Sequence, residues 1–482
     1  MKPGAIVIVL AAGGLALRLA LACHVAALPY QLDYEEGNVL NAGHRIADGV
    51  TPYPEPGSFP YVLNPYGPIG YALTALAVKV FGVSLFAPRL FVVLESLALA
   101  LLVASLVQRL GGLWSCGLVA GFWCLCTPLG WYWIPFLRVD ILALTFSLLG
   151  LYLFAGRPGV WPAAALACVL LTKHSVLAGV TTCFVTLGAD RQWKQALKML
   201  LIVFVIVLAG IAATGGAAPF HLLATHSDPY ILTRALKGYV VALTGGLAAV
   251  GILVYGWLMA ERDAAVPRLA AIFLASSAVI SLTGGKLASD VNHFLELTAA
   301  LAIAAGLVLS RLWTLRDSAA VPLTAGLLVM GFGSIVWHWH QPDDVAKGNQ
   351  CRQAYDLIRS SNGDRVLSED VSAVLLSSKP VLLSNPFVYT QIENRLRWSN
   401  GTVAQLADQQ YFDLIVLGGE AQTFRSESGL WPQSMMTAIT KRYTLAYKFN
   451  CSPWLQAIYV RSKTQLEHPG STPPQAGVPD PR

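Results

Sequence analysis

What this chain has least of is charge. Only 12% of its 482 residues are Asp, Glu, Lys or Arg, against 55% hydrophobic, and the mean hydropathy is +0.56. Soluble domains carry about a quarter charged residues. The shortage excludes an ordinary soluble enzyme and predicts a multi-pass membrane protein with room for about ten or more spans. Other absences narrow the field. There is no Gly-rich phosphate loop, no zinc-ligand spacing (Cys124-Leu125-Cys126 is too close), no long basic run and no visible internal repeat. The formal net charge is a modest +6, and the basic residues gather at span ends, so nucleic acid is not implied. A transporter built from inverted repeats would show paired interrupted segments in its two halves.

The apolar runs predict a mostly α, multi-pass helical bundle. Spans are expected near 4–28, 86–108, 113–133, 136–156, 159–172, 174–189, 196–213, 238–260, 267–284, 291–310 and 319–338, about eleven in all. The first is read as a retained span, because it is longer than a signal's apolar region and Arg18 interrupts it. Arg18 is expected to snorkel or to serve between helices. An odd count puts the termini on opposite sides, and a weak Lys/Arg bias puts the N-terminus inside. Residues 29–84 then form a long first extracytoplasmic loop within a membrane domain spanning 1–340. The character changes at 341–463, which reads as a small extracytoplasmic α/β domain, with strands expected at Arg365–Ser368, Val381–Leu383, Phe412–Leu417, Tyr443–Phe449 and Leu455–Arg461. Residues 464–482 read as a disordered tail. Six cysteines fall in apolar spans, while Cys351 and Cys451 fall in the α/β domain, where an oxidising compartment would pair them.

The most informative stretch is short and polar: Leu32-Asp33-Tyr34-Glu35-Glu36-Gly37-Asn38. Three acids in four residues at a membrane boundary are costly unless water or a ligand reaches them. The helix expected after it, Val39–Gly49, has Asn38, Asn41, Arg45 and Asp48 at helical spacing along one side. That pattern predicts a helix lying on the bilayer surface, with a second shallow one near 68–82. Further polar groups recur at span ends: Arg138-Val139-Asp140, Thr172-Lys173-His174-Ser175, and Lys286 followed by Asp290, Asn292, His293 and Glu296. Lys286 follows two glycines, whose turn can offer backbone N–H groups to an anion. His293 and Glu296 share a helix face, but no third metal ligand is evident, so no metal site is assigned, although a divalent ion is not excluded. The cations together suit a lipid-linked phosphate or pyrophosphate.

In order along the chain, several of these features resemble integral-membrane GT-C glycosyltransferases, in the branch of protein O-mannosyltransferases and lipid A aminoarabinose transferases. They are the acidic loop after span one, Ala47-Asp48-Gly49, Tyr53, Asn64-Pro65-Tyr66-Gly67-Pro68, Arg89, Arg138-Val139-Asp140 and Asn292 to Leu297. The resemblance implies a carboxylate base in the first loop and a sugar donor on polyprenyl phosphate, with no other cofactor. It implies inverting transfer to a glycolipid, polysaccharide or protein acceptor outside the cytoplasm, in a bacterial inner (plasma) membrane. Counting back about fourteen residues from Gly49, where the family carries Asp-Glu, lands on Glu35-Glu36. Glu35 thus takes the usual catalytic position, with Asp33 the rival base and Glu36 beside it. Arg138, Lys173, Lys286 and Arg89 are expected at the donor phosphate. Asn38, Tyr66, Asp140, His174, Asn292, His293 and Glu296 are the expected substrate-binding residues. Asn64 replaces a basic residue often found before the Pro-rich turn. The rival functions are a permease or flippase for lipid-linked sugars and a non-catalytic polysaccharide-assembly protein. The carboxylate cluster outside the spans favours the enzyme, since a transporter places its polar groups near mid-span.

Overall fold

The chain opens with helix α1 (Pro3–Ala26), then a long loop carrying α2 (Glu36–Ala47) and α3 (Pro68–Phe81). Helices α4 (Phe86–Arg109), α5 (Trp114–Cys126), α6 (Pro128–Trp133), α7 (Asp140–Gly156), α8 (Val160–Leu170), α9 (Ala178–Ala189) and α10 (Trp193–Thr214) follow. After α11 (Ala218–Leu223) come α12 (Leu232–Gly245), α13 (Leu247–Met259), α14 (Arg268–Ser281), α15 (Leu295–Leu315) and α16 (Ala320–Trp339). This computed structural model describes residues 3–57, 59–223, 229–259, 267–287, 289–339, 344–396, 402–422, 430–451 and 454–462. The tail expected at 464–482 lies outside them.

Among the described residues, six segments are long and apolar enough to cross a membrane: Gly4–Ala26, Phe86–Arg109, Trp193–Thr214, Arg268–Gly285, Val291–Leu315 and Ala320–His338. The pair α12 and α13, expected as one straight span, turns by 73° between its halves and makes a seventh if it crosses as one. The remaining expected spans correspond to shorter apolar helices. The run expected at 113–133 breaks at Thr127-Pro128, where Pro128 has no N–H to continue α5 and the Thr127 hydroxyl accepts from Gly130 N at 3.1 Å to start α6. Carbonyls around this break are met by Arg18, which donates to Leu125 O at 3.2 Å and Trp131 O at 3.2 Å and lies 4.0 Å from the Trp131 ring centroid. Arg18 is therefore an interhelical residue, fully enclosed. Helix α15 is buried along almost its whole length, and its small residues Ala299, Ala302, Ala305 and Gly306 let its neighbours approach closely.

Helix α2 does not lie open on a surface. Its first two turns, Glu36 to Gly43, are buried. On one side it meets α3: a Cβ on Gly43 would stand 2.5 Å from Thr74 Cγ2. On the other it meets the C-terminal domain, where a Cβ on Gly37 would stand 2.5 Å from Ser372 N. The polar side read from its periodicity therefore splits. Asn38 and Asn41 are buried, Arg45 in the last turn is half-buried, and Asp48, just past the helix end, is exposed.

The C-terminal domain has helices α17 (Asp344–Ser360), α18 (Val371–Leu376), α19 (Pro386–Leu396), α20 (Val403–Asp408) and α21 (Gln433–Arg442) around a four-stranded sheet. The strands are β1 (Val366–Ser368), β2 (Leu414–Leu417), β3 (Tyr443–Cys451) and β4 (Trp454–Arg461), in the order β1-β2-β4-β3. Strands β1 and β2 are parallel, and the other pairs are antiparallel. The segment expected as a strand at Val381–Leu383 does not join the sheet. It forms an isolated parallel bridge, Leu383 to Tyr61, with Tyr61 N donating to Leu382 O at 2.9 Å. Cys351 on α17 and Cys451 on β3 form a disulfide, with Cα atoms 4.7 Å apart. The domain shares its core with the first loop. Tyr61 and Leu63 pack with Tyr389, Phe412 and Trp431, and Tyr30 packs with Tyr355 and Val366.

Candidate active site

The loop between α1 and α2 is held from all sides, and its three acids have three different surroundings. Glu36 is fully buried and bound by Arg89, whose Nε and Nη2 donate at 2.7 and 2.6 Å. Leu32 N and Leu137 N also donate to Glu36, at 2.7 and 2.8 Å, and Arg89 spends its remaining contacts on Leu28 O and Tyr30 O. A buried pair this fully satisfied fixes the loop to α4 and leaves little for a ligand. This geometry moves Glu36 from the catalytic set, and Arg89 from the phosphate set, to holding the loop in place. Asp33 is also buried and pairs with Arg138 Nη1 at 2.5 Å.

Glu35 is different. Among the described residues, its carboxylate meets no cation at salt-bridge distance. It is half-buried, and two amides hold it: Asn38 Nδ2 donates to Oε2 at 3.0 Å and Asn385 Nδ2 to Oε1 at 3.1 Å. Burial raises its pKa above the ordinary glutamate value, against the opposing pull of Arg138 and the Asn38 and Asn385 hydrogen bonds. A carboxylate oriented by neutral donors with its proton affinity raised is suited to take a proton.

The cationic groups come together beside it. Arg138 precedes α7, Asp140 opens that helix, Lys173 sits in the turn between α8 and α9, and Asn292 lies just before α15. Lys173 Nζ donates to Asp140 Oδ1 at 2.5 Å, Asn292 Nδ2 donates to the same oxygen at 2.7 Å, and Arg138 Nε reaches Oδ2 at 3.4 Å. Asp140 is thus the post that positions both cations. Arg138 retains Nη2, and Lys173 retains ammonium hydrogens, for a further partner. Burial works against the Arg138 charge, but Asp33, Asp140 and Glu35 outweigh it and hold its pKa well above the usual value. Lys173 is pulled down by burial, with Asp140 acting against that. Tyr66 closes the cluster: its ring centroid is 5.5 Å from Lys173 Nζ, and Tyr53 Oη and Tyr71 Oη fix its backbone at 2.7 and 3.1 Å. Buried polar atoms without a partner among the described residues gather here, namely Asn38 Oδ1, Asn41 Nδ2 and Asn292 Oδ1. Such atoms are costly unless a ligand meets them.

The other expected residues divide. Lys286 stands within electrostatic reach of His174 and His293. Burial, with Lys173 and Lys286 alongside, pushes His174 down to about 4, so it is neutral near pH 7. His293 Nδ1 is engaged with Thr283 Oγ1 at 2.8 Å. Glu296 lies beside the cluster, lining a small cavity with Asp140, Lys173, Asn292 and His293. It accepts from Ser147 Oγ at 2.8 Å, Ala178 N at 2.9 Å and Gly179 N at 3.2 Å, so its charge caps the start of α9. Glu296, expected at the substrate, thus has both carboxylate oxygens engaged by these donors. No group of metal ligands is found among the described residues.

Two site residues were not foreseen. Asn385 comes from the C-terminal domain, and Tyr34 lies inside the acidic loop itself. Tyr34 Oη donates to Asn385 Oδ1 at 3.2 Å, Val388 N donates to the same oxygen at 3.1 Å, and Phe387 N donates to Tyr34 Oη at 3.0 Å. With its oxygen so occupied, the Asn385 amide can present only N–H to Glu35. Asn385 followed by Pro386 is a readable helix start, but nothing local places it at Glu35.

No family model matches this chain, and no curated protein matches it either. Solved structures do. ArnT from Cupriavidus metallidurans bound to undecaprenyl phosphate superposes with a TM-score of 0.62 at 14% identity, over 95% of this chain and 98% of that one. The apo state of the same protein gives 0.64 at 13% identity, over 93% and 98%. The likeness is one of fold alone: a mostly α, multi-pass helical bundle.

Proposed function

We propose that this chain is a membrane glycosyltransferase that takes a sugar from a polyprenyl-phosphate donor and passes it to an acceptor on the extracytoplasmic side. The observation that carries the reading is Glu35, held by two amides without a cation of its own, beside the Arg138–Asp140–Lys173 cluster. The fold shared with ArnT, solved with undecaprenyl phosphate bound, supports the choice of donor.

In this reading Glu35 takes the proton from an acceptor hydroxyl as that oxygen attacks the anomeric carbon. The bond from the anomeric carbon to the phosphate oxygen breaks with inversion, and the electron pair leaves on the phosphate. Arg138 and Lys173 stabilise that developing charge. Their existing pairs with Asp33 and Asp140 keep them in place before the donor arrives, so little reorganisation is needed. Asn38, Asn41 and Asn292 offer the unmet donors and acceptors a sugar's hydroxyl groups require. Asn385 brings the C-terminal domain into the catalytic centre, which puts that domain and the loop on one side of the membrane. Crossings by the shorter helices would bring the total to about eleven, with the N-terminus on the opposite side.

Purified protein in proteoliposomes, given polyprenyl-phosphate sugar labelled in the sugar and a panel of glycolipid, polysaccharide and peptide acceptors, separates this reading from a flippase. Transfer leaves label on an acceptor and free polyprenyl phosphate. Label that changes leaflet while remaining on the polyprenyl lipid would replace the enzyme reading with transport.

A further inference from the structure

The helices that place the active site also carry a second basic site at their other ends. Helix α4 begins near Arg89 and ends at Arg109, and α7 begins at Asp140 and ends at Gly156. At about 1.5 Å per residue these helices carry the chain roughly 25–35 Å from the Glu35 loop. There, the ends of α4 and α7 and the starts of α8 and α10 surround a cavity of about 730 Å³. Arg109, Arg157 and Lys198 line it, with Tyr152, Trp161 and Gln195. No acid lines it.

The three cations make no ion pair with any described residue, unlike Arg268, Arg442 and Lys448. Arg268 has Asp190 at 2.6 Å, Arg442 has Asp408 at 2.9 Å, and Lys448 has Glu420 at 2.6 Å. Arg109 is also held in place, with its guanidinium 5.2 Å from the Tyr152 ring centroid and lying over Gly156, where any side chain would collide with it. Beside this basic hollow, Trp161 is 75% exposed and Trp193 is 66% exposed. Exposed tryptophan at the ends of apolar helices marks the level of lipid headgroups. A large cavity with three uncompensated cations, a hydrogen-bonding glutamine and an apolar rim at headgroup depth matches a phosphate-bearing group with attached hydrocarbon.

We propose that this cavity binds the anionic phosphate headgroup of a membrane lipid in the leaflet opposite the active site, with acyl chains running along Trp161 and Val160. Arg109, Arg157 and Lys198, all exposed, supply the charge, with Arg109 also placed against the Tyr152 ring. The proposal does not depend on the transferase reading.

The test is binding of phosphatidylglycerol, phosphatidylcholine and inorganic phosphate to the full-length protein in detergent, read by native mass spectrometry and by the lipid-induced rise in Tm. Phosphatidylglycerol is expected to bind the wild type and to stabilise it, and phosphatidylcholine and millimolar inorganic phosphate are not. Arg157→Gln with Lys198→Gln should weaken phosphatidylglycerol binding about thirtyfold, at about 1 kcal/mol per cation. Arg157→Lys with Lys198→Arg should retain it. Should the double Gln variant fail to fold, Lys198→Gln alone should weaken binding about fivefold. Unchanged affinity in a folded Gln variant, or equal binding of phosphatidylcholine, would overturn the site. An equal response to inorganic phosphate would overturn the lipid as its ligand.

Discussion

At the scale of single residues, the question is which acid accepts the proton. Asp33 and Glu35 are two residues apart, yet their surroundings assign them different work. Asp33 is committed to Arg138 at 2.5 Å, whereas among the described residues Glu35 meets two amide donors and no cation. A base must be ionised to act, and the Glu35 pKa is raised by burial. The acid limb of the kcat/KM profile is therefore expected above the ordinary glutamate value of 4.5, with activity lost as pH falls through it. Asn385 donates to the charged form, so removing it should raise that pKa further. Asn385→Ala is expected to move the acid limb to higher pH and to lower kcat about tenfold or more, while KM for the donor changes little. A fall in kcat with an unmoved pH profile would mean that Asn385 acts only on the fold.

At the scale of elements, the sequence is most legible where chemistry and local pattern coincide. Arg138, Asp140, Lys173 and Asn292 could each be picked out because a charged or polar group at an apolar helix end is expensive. The structure brings them together because α7, the α8–α9 turn and the start of α15 meet at one place. Periodicity failed where burial is two-sided. It gives α2 a polar face but cannot say that the C-terminal domain covers it, so the burial of Asn38 and Asn41 is not legible. Helices α18 and α19 had no clear period, since α18 is nearly all buried, and the apolar Val381–Leu383 passed for a sheet strand. For Glu36 and Glu296, a sequence shows the carboxylate but not its partners, Arg89 in one case and the start of α9 in the other.

One element also carries a pH-dependent cost. Glu369 follows β1, and its carboxylate accepts from Trp431 Nε1 at 2.5 Å and Gly418 N at 2.8 Å. Burial lifts its pKa to about 7 from the ordinary 4.5. Below about 4.5 both folded and unfolded chains hold the proton and the group is neutral to stability. As pH rises through the interval to about 7, the unfolded chain ionises more readily than the folded one, and stability falls. Glu369→Gln mimics the protonated form. Its Tm relative to wild type should be more favourable at pH 8 than at pH 5, read by thermal denaturation at both; an equal difference at both would refute the assignment.

At the scale of the whole molecule, the C-terminal domain and the first loop are one structure around the active site. Their cores are shared through Tyr61, Leu63 and Tyr30, and Asn385 crosses between them. The Cys351–Cys451 disulfide, 100 residues apart in sequence, closes this domain. Reducing it, or replacing both cysteines with Ser, should cost roughly 3–5 kcal/mol in the chain-entropy description. The unfolding transition of the reduced protein measures it, and an unchanged transition would mean that the bond adds no stability. A reporter active only in the cytoplasm, fused at the C-terminus, is expected to be silent, and activity there would reverse the orientation.

The most direct measurement is turnover of Glu35→Gln and Asp33→Asn, each purified and shown to keep the wild-type Tm, with a polyprenyl-phosphate sugar and an acceptor that the wild type uses. The amide keeps the size of the glutamate and its place between Asn38 and Asn385 but cannot take a proton. Glu35→Gln is expected to lower kcat by at least a hundredfold, the scale of general-base catalysis. Asp33→Asn is expected chiefly to weaken donor binding, because it frees Arg138 from its partner. Near wild-type turnover in Glu35→Gln, with turnover abolished in Asp33→Asn, would contradict Glu35 as the base.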